Sequence, residues 1–168
     1  TFRTNLVTLS DDEEYENKTM LDYSAGEIST EEAAELIKAV EEELHTEYAH
    51  FFAGVSYRHL LVWANGSTNV SLTPPHDISD KKITDYLPKG DNAEKLLELM
   101  VKSEKILKNH PVNQERIKNG KNPATSIWLW GEGSKPQLEL FYDKFGKKAS
   151  VISAVDLIKG IAICADMK

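Results

Sequence analysis

A chain of 168 residues, 40% hydrophobic and 28% charged, is long enough to bury one sizeable core and ordinary in composition for a soluble globular protein. Its formal charge of −7 argues against general binding to nucleic acid or to an anionic membrane, because both would be repelled over most of its surface. No apolar run approaches the roughly 20 residues that span a bilayer, and the lone Cys164 excludes an internal disulfide and makes a poor metal site.

No signal peptide is visible, so the expected location is cytoplasmic, and the N-x-[ST] matches at Asn17, Asn65 and Asn69 read as chance rather than as glycosylation sites. The chain opens on Thr1 and is strand-like at once, which leads us to expect a segment of a longer protein. Residues 2–9 alternate, with Phe2, Leu6 and Val7 favouring a strand. An acidic stretch at 10–18 reads as a solvated loop. Ser29 and Glu32 then form a capping box, and Ala33, Leu36, Ile37, Val40 and Leu44 mark one apolar helical face.

Strands are expected over 51–55 and 57–64, ending at the Asn65-Gly66 turn. Along the stretch 54–63, strand alternation puts Ser56, Arg58, Leu60 and Val62 on one face and Tyr57, His59, Leu61 and Trp63 on the other. A charge in so apolar a strand needs either water or an anion as its partner. Prolines and Gly90 make 65–90 mostly irregular, with His76 beside Asp77 on a proline-stiffened loop, too few ligands for a metal on their own. Asp91 is expected to cap a second helix with Leu96, Leu97, Met100, Val101, Ile106 and Leu107 on its apolar face. Pro111 interrupts that pattern. Beyond it His110, Asn113, Arg116 and Lys118 crowd a short segment, and in a helix Asn113 and Arg116 point the same way.

A short apolar strand at 126–130 runs into Gly131-Glu132-Gly133, which lacks the spacing of a dinucleotide or P-loop motif and reads as a turn. A polar helical segment precedes Gly146, then a strand over 149–154 and a last helix over 155–165 are expected. That helix is apolar most of the way round, so it is either central or packed against a part of the protein outside this chain. Strands and helices alternate without repeats, giving an α/β fold with a mixed β-sheet and packed helices in a single domain. Only three of the twenty basic residues are arginine, Arg3, Arg58 and Arg116, whose planar forks suit an anion. No nucleophile elbow, HExxH or paired-carboxylate signature appears.

The ordered stretches FRTNLVTL, YSAGEISTEEA, GVSYRHLLVW, TPPHDI, HPVNQER, SIWLWGEG and VISAVDLIKGI resemble the archaeal-type cofactor-independent phosphoglycerate mutases, members of the alkaline-phosphatase-like metalloenzymes. The resemblance implies that residues 1–168 are the inserted substrate-binding domain, with about 149–168 starting the return to the catalytic domain. It implies interconversion of 3-phosphoglycerate and 2-phosphoglycerate, a glycolytic isomerase activity, through a phosphoserine. By the same resemblance the nucleophile and the ligands of two divalent metal ions (Mn2+, Mg2+ or Zn2+) are expected in the catalytic domain of the same chain and no metal in this segment, so the segment alone is expected to be inactive. Phosphoglycerate contacts are implied among Arg3, Asn5, Arg58, His59, His76, His110, Asn113 and Arg116, with the three guanidinium groups converging on one anion. Some bacterial relatives are proposed homoserine kinases, and a non-catalytic anion-binding module is a further alternative.

Overall fold

The computed structural model describes residues 1–154 and 156–168, which divide into two compact units, Thr1–Gly133 and Ser134–Lys168. In the first unit β1 (Phe2–Leu9) is the central strand. It pairs antiparallel with β7 (Ser126–Trp130), with β4 (Arg58–Trp63) and, at its far end, with β2 (Met20–Asp22). β3 (Ala49–Phe52) completes the sheet along β4. The α/β class expected from the sequence is what forms. Every described pairing is antiparallel, which narrows the expected mixed sheet to one direction.

Three helices complete the first unit: α1 (Thr30–Leu44), α2 (Ala93–Lys108) and α3 (Pro111–Lys118). α1 starts where the sequence says it should. Ser29 Oγ accepts the Glu32 N–H and Glu32 Oε2 accepts the Ser29 N–H, satisfying two of the donors a helix start leaves free. Its buried stripe, Ala33, Leu36, Ile37, Val40 and Leu44, is the predicted one. α2 corrects an expectation, because its N-cap is Asn92 rather than Asp91. The Asp91 carboxylate instead takes hydrogen bonds from Ser67 and Asn69, tying down the irregular stretch beside the two-residue ladder β5 (Val70–Ser71) and β6 (Lys89–Gly90). α3 opens on Pro111, where the missing N–H costs nothing, and His110 caps it through Nδ1.

The helices α1 and α2 pack on each other and against β3 and β7. One sheet face, with Phe2, Thr4, Leu6, Phe51, His59, Leu61, Ile127 and Leu129, is buried throughout. The other face carries Arg3, Asn5 and Val7 beside Arg58, Leu60, Trp128 and Trp130, and it stays open at Arg3, Phe52, Arg58 and Leu60. That half-covered face is the antiparallel pattern of one side packed and one side free.

The second unit holds α4 (Phe141–Phe145), closed by Gly146 in the left-handed region, and α5 (Asp156–Cys164). Residues 149–154 form no strand, contrary to expectation. Two backbone bonds, between Val151 and Lys168 and between Lys168 and Ala149, hold the segment, and β-branched residues alone do not make a strand without a partner ladder. Val155, expected to begin the last helix, lies outside the described residues. Along α5 Leu157, Ile158, Ile161 and Ile163 are exposed, Ile163 by 75%, and Ala162 is its buried residue.

Candidate anion site on the open sheet face

Strand register sets the site. Asn5 stands opposite Arg58 on β4 and opposite Trp128 on β7, while Arg3 stands opposite Leu60 and Trp130. Arg3 and Arg58 are therefore diagonal neighbours on one face, a relation that spans roughly 7–8 Å between backbones. Both side chains are exposed, and among the described residues neither forms an ion pair.

Four rings join the two guanidinium groups in an arc. Arg58 lies over the Tyr57 ring at 4.2 Å and its Nη2 donates to the Tyr57 hydroxyl at 2.8 Å. Tyr57 meets Tyr23 edge-on at 5.9 Å, Tyr23 meets His76 at 6.1 Å, and His76 meets Trp130 at 5.3 Å. Arg3 closes the arc with its guanidinium carbon 4.8 Å from the Trp130 ring centre. A guanidinium held over a ring keeps N–H donors at its edge; Arg58 spends one Nη2 donor on the Tyr57 hydroxyl, and both arginines have further donors that a carboxylate or phosphate can accept.

Three of the four rings have a support of their own. Asn5, almost fully buried, accepts the Trp130 indole N–H at 2.9 Å and donates to the Tyr23 carbonyl at 3.0 Å, so it ties two parts of the arc together. Tyr23 sits in a tight loop built by Asp22, whose carboxylate accepts from Ser24 N–H and Oγ–H, Gly26 N–H and Asn122 Nδ2. Burial alone would raise the Asp22 carboxyl. The Ser24, Asn122 and Gly26 hydrogen bonds together outweigh it and hold the group below its usual range. His76 rides on the 75–78 turn, anchored by buried Pro75 and Ile78, and by the Trp128 indole N–H on the Thr73 carbonyl at 2.8 Å. Gly131, at φ +59°, lets the chain leave β7 under the Arg3 stem, since a Cβ there would stand 3.0 Å from Arg3 Cδ. The Gly131-Glu132-Gly133 turn thus serves the arginine.

The structure brings Arg3, Asn5, Arg58 and His76 together, and places His59, His110, Asn113 and Arg116 elsewhere. His59 points into the buried face, where its Nδ1 accepts the Gly54 N–H at 3.1 Å and burial pushes its pKa down to about 4. His110 is the α3 cap. Asn113 is buried, donating to the Leu107 and Ala124 carbonyls and accepting the Ala124 N–H. Arg116, 3% exposed, departs from the expectation of three converging guanidiniums. Its donors go to Glu32 at 2.6 Å, to the Ala25 carbonyl at 2.5 Å and to the Asn122 carbonyl at 2.9 Å. With Nε, Nη1 and Nη2 each donating inside the fold and the side chain buried, Arg116 offers no fork to a ligand on the open face.

Tyr23, Tyr57 and Trp130 were missed as site residues. Strand alternation puts Tyr57 on the face opposite Arg58, but β4 begins only at Arg58, so Tyr57 belongs to the preceding turn and its ring can lie under its neighbour. Trp130 was legible in principle, because its register with Arg3 follows once β1 and β7 are paired. Among the described residues no three His, Cys, Asp or Glu side chains are grouped as a metal ion requires, and no helix is long and apolar enough to cross a membrane.

The family model described as 2,3-bisphosphoglycerate-independent phosphoglycerate mutase matches residues 1–113. A Geobacter sulfurreducens protein named "Probable 2,3-bisphosphoglycerate-independent phosphoglycerate mutase" is 49% identical over 99% of this chain and 41% of its own length. The Methanosarcina mazei 2,3-bisphosphoglycerate-independent phosphoglycerate mutase is 48% identical over 99% of this chain and again 41% of its own. The chain thus spans about two fifths of the length of these curated relatives. A solved cofactor-independent phosphoglycerate mutase from Thermoplasma acidophilum superposes with a TM-score of 0.65 at 23% identity, covering 99% of this chain and 45% of that one, and shares the fold. The chain belongs to the 2,3-bisphosphoglycerate-independent phosphoglycerate mutase family.

Proposed function

We propose that this chain is the substrate-holding part of a cytoplasmic mutase that interconverts 3-phosphoglycerate and 2-phosphoglycerate. The observation that carries the reading is the pair of stacked guanidiniums, Arg3 and Arg58, without ion pairs among the described residues, at the two ends of one aromatic arc in an acidic chain. A phosphoglycerate carries a carboxylate and a phosphate, and two forks on one wall suit two anionic groups. His76 is the third candidate contact, and Asn5 holds the arc in place. A multiply charged small acid does not cross a bilayer unaided, which is why a cytoplasmic site goes with this substrate.

The reacting serine and the ligands for two divalent ions (Mn2+, Mg2+ or Zn2+) belong, in this reading, to the part of the polypeptide outside the matched two fifths. The role left to this chain is to hold the glycerate and keep water out while the phosphoryl group is away, work suited to a domain that closes over a site. The test compares two proteins. The full-length protein with manganese is expected to convert 3-phosphoglycerate to 2-phosphoglycerate, and the 168-residue chain is expected to show no turnover. Turnover by the short chain, or none by the full-length protein with any of the three metals, contradicts the reading.

The exposed apolar residues of the second unit fit the same partner. Leu138, Leu140, Tyr142, Phe145, Leu157, Ile158, Ile161 and Ile163 leave an apolar surface that a free domain rarely carries, and the catalytic part of the same chain is the proposed cover. The 168-residue chain is accordingly expected to bind more of a hydrophobic dye per molecule than the full-length protein, or to self-associate. Equal dye binding by a strictly monomeric short chain tells against it.

A further inference from the structure

His59 faces away from the arc, yet it holds the turn from which Arg58 emerges. The turn is built of unusual backbone. Ser56 is left-handed at φ 55°, with its N–H on Thr30 Oγ1 at 3.1 Å and its hydroxyl on the Ile28 carbonyl at 2.7 Å. The Tyr57 carbonyl takes the Leu6 N–H at 3.0 Å and the Arg58 N–H returns to the Val55 carbonyl at 3.1 Å. At its start Gly54 packs so closely that a Cβ would lie 2.3 Å from the Arg58 carbonyl oxygen. The Gly54 N–H is received by His59 Nδ1.

That acceptor role fixes the imidazole. With Nδ1 unprotonated, the ring proton is on Nε2, and Nε2 has no hydrogen-bond partner among the described residues. Thr4 Oγ1, on the residue paired with His59 across the strands, has none either. Both side chains are more than nine-tenths buried. A residue selected for packing alone would be an apolar ring of the same size, which leaves no polar atom unpaired. What such a ring cannot supply is the acceptor for Gly54.

We propose that His59 is a positioning residue for Arg58: its Nδ1, accepting the Gly54 N–H from the buried side of the sheet, sets the turn that presents Tyr57 and Arg58 on the open face. The kinetic part of this inference rests on the proposed substrate role of that face; the turn assignment does not. It adds to the arc a residue that never touches the ligand.

The test uses the full-length protein. His59→Asn keeps an oxygen acceptor at the position of Nδ1, and His59→Phe keeps the ring without it. The phenylalanine variant is expected to exchange the amides of residues 54–58 for deuterium about tenfold faster and to lose about tenfold in kcat/KM for 3-phosphoglycerate, while the asparagine variant stays within about twofold on both. Should the phenylalanine variant not fold, His59→Gln takes its place, because its oxygen lies one bond too far along to receive Gly54. Exchange unchanged in the variants that lack the acceptor, or equally fast in His59→Asn, overturns the assignment. Faster exchange with unaltered kinetics, in an enzyme that also tolerates Arg58→Ala, upholds the turn assignment and overturns the substrate reading of the face.

Discussion

Arg116→Leu is expected to destabilise the protein by about 3 kcal/mol, the lower end of what breaking a buried ion pair costs. The low end applies because Glu32 is 30% exposed and can recover some hydration, whereas the Arg116 side chain is 3% exposed. The larger loss is of acceptors left behind. The Ala25 and Asn122 carbonyls each lose a charge-assisted donor, and Glu32, already engaged in the α1 capping box, loses its partner. Arg116→Lys is expected to recover only part, since one ammonium cannot reach three acceptors in the geometry of a planar fork. Thermal unfolding of the full-length variants measures this. A loss below about 1 kcal/mol for the leucine variant contradicts the structural role given to Arg116, as does a loss of kcat/KM without loss of stability.

The second large effect belongs to Arg58. Replacing it with alanine in the full-length protein is expected to remove the proposed charge-assisted substrate contact, worth about 1.5–3 kcal/mol, which is about tenfold to a hundredfold in kcat/KM. Fold stability is expected to change little, because Arg58 is exposed and touches its own neighbour Tyr57. Arg58→Lys recovers part of the activity for the reason given for Arg116. Lys38→Ala is the control. Lys38 is on the solvent side of α1, 3.7 Å from Glu42 with both side chains mostly exposed, and such pairs contribute about 0–1 kcal/mol. Wild-type kinetics in a folded Arg58→Ala enzyme contradict the reading.

Arg58 and Arg116 show what a sequence can and cannot disclose. Local rules located α1, because a capping box and a stripe of apolar residues are complete between Ser29 and Leu44. They also placed Arg58 and His59 on opposite faces, which follows from period-two alternation alone. The destination of an arginine is another matter. Arg58 and Arg116 look alike in sequence, each polar in a short element, and what separates them is a partner far along the chain. Glu32 is brought to Arg116 by the packing of α1 near α3, and among the described residues no carboxylate pairs with Arg58.

The arc itself was half legible. Arg3, Asn5, Arg58 and His76 could be suspected one by one, but their assembly depends on β1 lying between β4 and β7, a long-range pairing no window of sequence contains. Tyr23 enters through the Asp22 loop and Tyr57 through a turn that ends one residue later than alternation assumed. The strand expected over 149–154 failed for the opposite reason. Its residues favour extended backbone, and the partner a strand requires is missing among the described residues.

The most direct measurement is a crystal structure of the full-length protein with 3-phosphoglycerate bound. The Arg3 and Arg58 guanidinium groups are expected within hydrogen-bonding distance of the ligand's carboxylate or phosphate oxygens, with Trp130 and Tyr57 still beneath them. A bound ligand in contact with neither arginine, in a closed enzyme, would contradict that expectation.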